Sequence, residues 1–124
     1  MKNKHACLIA AILLLAMTAA SATNNMYVKD TFTIIDAKIN ALPENIAQCA
    51  EELTLVLDIW KERRKYLDLT MSKPELEAVS VLFEDAIISA SHGNESDFEI
   101  AMARLRRAID DLKDLERISA ENIF

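Results

Sequence analysis

Four cations stand in five positions at Lys61, Arg63, Arg64 and Lys65. Such a group grips an anionic polymer or headgroup when its field outruns the surrounding charges, which a local patch can do within a Debye length of about 8 Å. Glu62 interrupts these four and Asp58 and Asp68 flank them, so pairing inside the molecule is the expected use. Arg63 carries the sharper demand. The apolar steps through Leu53, Val56 and Trp60 call for an apolar residue at 63, and Arg64 lies close to the same face. A guanidinium there needs a carboxylate or a route to water, because an unpaired buried charge costs several kcal/mol. Glu75, Glu77, Glu84 and Asp85 on the following segment can supply it, which predicts a clasp near one end of the folded body.

Other groups exclude more chemistry than they offer. Gly93 is the only glycine, so loops that cradle phosphate through several glycines are excluded. Past the N-terminal region there is one histidine, His92, and no Glu-x-x-His pair, so a di-iron or zinc bundle lacks its ligands. Asn94, Glu95, Ser96, Asp97 and Glu99 miss the alternation and internal glycine of a calcium loop, and helix capping explains them. Asp110-Asp111, with Arg106, Arg107 and Lys113 one turn away, forms a solvated charged face. Cys49 and the serines have no second histidine to activate them. No catalytic residue, cofactor or metal ligand is expected, and the chain is expected not to be an enzyme.

These side chains must be carried by helices. Leu76, Val79, Phe83, Ala86 and Ala90, then Phe98, Ala101, Leu105, Ala108, Leu112 and Leu115, recur at steps of three and four on either side of a hinge at His92-Gly93-Asn94. Ser72-Lys73-Pro74-Glu75 and Ser96-Asp97-Phe98-Glu99 supply capping-box starts, and Gly93 or Asn94 suits the left-handed stop between them. Upstream, Ile46, Cys49, Leu53, Val56, Trp60 and Leu67 predict a helix from about Glu44 to Leu67, with Leu42-Pro43 as the break before it. Val28, Phe32, Ile35, Ile39 and Leu42 predict a first helix from Met26, despite the β-branched run Thr31 to Ile35. The expected fold is an all-α, antiparallel four-helix bundle, with a coiled-coil homodimer as the alternative.

Lys2 and Lys4 precede a run without charge from Ala6 to Ala20, ending in Ala20-Ser21-Ala22. This is the pattern of a signal peptide over residues 1–22 with cleavage after Ala22, an uncleaved anchor being the alternative. Residues 23–124 then form one domain outside the cytoplasm. That domain keeps every acidic residue and loses Lys2 and Lys4, leaving twelve basic residues against twenty acidic and a charge of −8. Such a field repels nucleic acid. Cys7 leaves with the leader, and Cys49 reads as a small buried hydrophobe, an intermolecular disulfide needing exposure.

The basic apolar N-terminus, Trp60 near the end of a long helix, Pro74-Glu75-Leu76-Glu77-Ala78-Val79, Leu105-Arg106-Arg107-Ala108-Ile109 and the ending Glu116-Arg117-Ile118-Ser119-Ala120-Glu121-Asn122-Ile123-Phe124 together resemble the domain-of-unknown-function family 4363. The resemblance implies a small helical protein with an N-terminal membrane or export segment, of a kind found mostly in spore-forming Gram-positive bacteria. It implies no activity. Members often carry a histidine near the start of the third helix, where this chain has Lys73-Pro74.

The expected function is a non-enzymatic module, secreted or tethered to the outer face of the cytoplasmic membrane, that works through contact with a protein partner, a membrane protein among the candidates. Trp60, Arg63, Arg64, Ile123 and Phe124 are the candidate interaction residues. Ile123 and Phe124 either fold back to plug the end of the bundle or dock into the partner. The alternative function is a bundle that senses a small ligand entering near Arg63 and Arg64.

Overall fold

Helical periodicity prevails over the β-branched run from Thr31 to Ile35, because Thr31, Phe32, Ile35 and Ile39 fall on one buried face when that stretch is helical. The computed structural model of the chain describes residues 2–69 and 71–123, with the side chains at 2, 3, 21, 22 and 119–123 outside that description. Four helices follow in order: α1 Lys2–Asn40, α2 Ile46–Leu67, α3 Lys73–Ser91 and α4 Glu95–Ile123. The described residues contain no strand.

The first helix departs from expectation. Where a helix starting at Met26 was expected, α1 runs unbroken from Lys2 to Asn40. No glycine or proline occurs before Pro43, so nothing in the backbone stops it. By packing, the chain divides at Asp30 and Thr31. In the first unit, Leu8, Ile9, Ile12, Leu13, Leu14, Leu15 and Met17 are all exposed. By length and composition alone, α1 contains a segment able to cross a membrane.

The second unit, Thr31–Phe124, is the bundle. Its fourth rod is the last part of α1. Phe32 meets Trp60 of α2 with ring centroids 6.2 Å apart, and Asp36 accepts a 2.7 Å hydrogen bond from Lys113 Nζ of α4. α3 packs on both α2 and α4. The four rods thus close on one core of Trp60, Phe83, Ile35, Leu53, Leu76 and Leu105, each almost wholly removed from water.

The connections carry the remaining corrections. α2 begins at Ile46, two residues after the expected Glu44, because Asn45 Oδ1 accepts from Ala47 N at 3.0 Å and makes the cap. Ser72 holds the N-cap position of α3 with Pro74 in the first turn, but its hydroxyl makes no capping bond. After α3, Gly93 takes φ +68°, with Gly93 N–H donating to Ala90 O and Asn94 N–H to Ser89 O, the Schellman arrangement. The expected Ser96 cap is displaced to Asn94, whose Oδ1 accepts from Asp97 N at 3.1 Å while its Nδ2 donates to Asp97 Oδ2 at 2.8 Å. Asn94 serves both ends: its backbone N–H closes the α3 stop on Ser89 O, and its side chain caps α4. α4 then runs on to Ile123, so its backbone continues the helix where a fold-back was one expectation.

Candidate functional site

Trp60 and Arg64 are four residues apart on α2 and therefore share a face, as Glu77 and Ser80 do on α3. Where the two faces meet, the Ser80 hydroxyl is the hub. Trp60 Nε1 donates to Ser80 Oγ at 3.1 Å, and Arg64 Nη1 donates to the same oxygen at 3.1 Å. Arg64 Nη1 also pairs with Glu77 Oε2. The hydroxyl proton points along α3 toward Leu76 O, a long contact at 3.5 Å. Both acceptor positions and the donor of one buried hydroxyl are thereby used.

The electrostatics grade outward from this hub. Ser80 is 2% exposed, the Arg64 side chain 17% and Glu77 62%, so the guanidinium is shielded while its carboxylate remains wet. Lys61 reaches Glu84 at 3.9 Å and Lys65 reaches Glu62 at 3.1 Å, both at the surface. Arg63 is half-buried and also engaged. The basic group is thus bound into the molecule, and Arg64 clasps α3 through Glu77 and Ser80. Trp60 is a core side chain, 0% exposed, and presents no surface to a partner.

Sequence reasoning missed Ser80. The available signal was its position on the α3 stripe, one turn after Leu76 and one before Phe83 and Glu84, opposite a tryptophan whose N–H needs an acceptor when buried. Also missed was the Asp36–Lys113 bridge between α1 and α4, in which the carboxylate hydrogen bond holds the Lys113 ammonium above its ordinary value.

Cys49 is buried, its thiol donating to Pro43 O at 3.0 Å, and desolvation pushes its pKa up. That burial removes the exposure an intermolecular disulfide would need. Among the described residues no three His, Cys, Asp or Glu side chains come together as metal ligands. A cleft of about 260 Å³ between α3 and α4 is lined by Asp85, Ile88, Asp97, Ile100 and Arg104 among others. Ile88 and Ile100 are 56% and 49% exposed there. Ile123 ends α4, but its side chain and the whole of Phe124 lie outside the described residues. Comparison with protein-family models, with curated proteins and with solved structures gave no match.

Proposed function

We propose that this chain is a non-enzymatic helical module outside the cytoplasm, tethered by its N-terminal segment, that acts through contact with a protein partner, a membrane protein foremost. The observation that carries the reading is the contrast between the two units. The bundle uses its polar groups on itself, through Trp60, Ser80, Arg64 and Glu77 and through Asp36 and Lys113. The N-terminal unit instead turns Leu8 to Met17 outward.

Retention of the tether draws on the same segment. From Ala6 to Val28 no residue is charged, and at 1.5 Å per residue that helix is roughly 34 Å long against a hydrocarbon core of about 30 Å. Thr18 and Thr23 satisfy their hydroxyls on Leu14 O and Ala19 O, each at 2.9 Å, as a segment in hydrocarbon requires. Lys2 and Lys4 then stay on the cytoplasmic side. The resemblance to family 4363 belongs to this proposal and adds shape and compartment.

The partner-facing surface is the α3–α4 cleft, whose exposed Ile88 and Ile100 sit among Asp85, Asp97 and Arg104. The small-ligand reading draws less support, since Trp60 is fully buried and Arg64 is already engaged by Ser80 and Glu77. The test is the mass and location of the protein made in cells, combined with a photo-crosslinker placed at Ile88 or Ile100. A membrane-bound chain of full-length mass with one discrete crosslinked species is expected. A cytoplasmic chain, or a soluble one cut after Ala22, overturns the tether.

A further inference from the structure

Exposed apolar side chains gather at one end of the bundle: Leu69 at 79%, Tyr66 at 56%, Ile118 at 50% and Leu115 at 48%. That these share an end follows from contacts within the bundle. Asp36 meets Lys113 across antiparallel rods. Stepping back five residues along α1 reaches Thr31, and stepping on five along α4 reaches Ile118, roughly 7.5 Å in the same direction in each case. Phe32 of α1 stands level with Trp60 of α2, and Tyr66 on α2 and Leu69 in the turn after it follow Trp60 toward that end. It is the end at which α1 enters the bundle, and only Lys29 and Asp30 separate it from the uncharged run that closes at Val28.

We infer that this end of the bundle rests on the bilayer, with Tyr66, Leu69, Leu115 and Ile118 seated in the interfacial layer of a zwitterionic membrane. The inference rests on the tether proposed above. Three observations select lipid as the occupant. The patch is joined through α1 to a segment long and apolar enough to span, so the surface is presented at high effective concentration. Its composition is interfacial: an amphipathic tyrosine and aliphatic residues, beside Lys65 and Arg117, whose side chains are 66% and 67% exposed and reach outward from their helices. Glu62 and Asp114 pair with those two cations on their own helices. With Asp68 and Glu116 also at this end, it lacks the cation excess that would seek anionic headgroups, and a zwitterionic bilayer suits it better than an anionic one.

The experiment uses the full chain in phosphatidylcholine vesicles, with spin labels whose access to oxygen and to a water-soluble nickel chelate is compared. Labels go on native Cys7 and, in a Cys7→Ser background, on Leu69→Cys, Ile118→Cys and the cleft position Ile88→Cys. All three introduced sites are exposed, and Cys49 is buried and stays unlabelled in the folded protein. Expected is a several-fold higher ratio of oxygen to chelate access at 69 and 118 than at 88, with the highest ratio at Cys7. If Cys7 lies in lipid while 69 and 118 match 88, the docking is overturned and the tether stands. If Cys7 lies in water, the tether fails and takes the docking with it.

Discussion

Removing the Ser80 hydroxyl leaves the Trp60 indole N–H buried with no acceptor and takes one of two partners from Arg64. Ser80→Ala should therefore lower the unfolding free energy by about 1–3 kcal/mol in a urea titration. Arg64→Met should cost less, under about 1 kcal/mol, because Glu77 is already in water and Ser80 still accepts from Trp60. An equal or reversed order would remove Ser80 from its central place. Cys49 gives a second check at this scale: with its thiol buried and its pKa raised, it should resist iodoacetamide at pH 8 until urea unfolds the bundle. The sequence made the pairing of basic α2 with acidic α3 legible, with Arg63 as the first candidate and Arg64 beside it, and Arg64 is the one that reaches Ser80 and Glu77. Steps of three and of four are both helical, and from Trp60 they lead to 63 and 64. Only the packing of α2 on α3 decides which one faces Ser80.

At the scale of the helices, the α3–α4 corner is the sharpest test of local rules. Asn94→Ala should cost about 0.5–2 kcal/mol through the lost cap, whereas Ser96→Ala should stay within about 0.5 kcal/mol. Thermal melts of the two variants separate them. Gly93→Ala meets no atom within 4 Å, so its cost of about 1–2 kcal/mol comes from the left-handed backbone alone. The presence and phase of the helices were legible because their stripes are wide and Pro43, Pro74 and Gly93 punctuate them. The starts of α2 and α4 were not, since serine, glutamate and asparagine all satisfy a capping pattern and geometry chooses among them. The start of α1 was not legible either, since the apolar stripe begins at Val28 while the helix reaches back to Lys2 through a run that holds no residue able to break it.

For the molecule as a whole, charge and pH offer the clearest expectation. Lys113 is stabilised as a cation by its hydrogen bond to Asp36, so its folded-state pKa lies above the unfolded one. The contribution is fully present below the ordinary lysine value of 10.5 and is lost as pH rises through the higher folded value. Both side chains are partly exposed, at 40% and 35%, which keeps the pair near 0.5 kcal/mol or roughly that size. Asp36→Asn should thus be less stable than the parent at pH 8, and the difference should shrink as pH rises past the ordinary lysine value of 10.5 and through the higher folded one, by denaturant titration at each pH. The closing of four rods around one core was legible from periodicity. The rod that α1 contributes was legible too, since its stripe of Val28, Phe32, Ile35 and Ile39 is buried; its bridge to α4 was not, because a pair between positions 36 and 113 has no local signature.

Trp60 is the sole tryptophan, and it stands where α1, α2 and α3 converge, against Phe32 and on Ser80. The protein consequently carries its own optical reporter. Departure of any one of those three helices would wet the indole and move its emission to longer wavelength, so a single unmodified chromophore follows the loss of α1, α2 or α3 from the bundle.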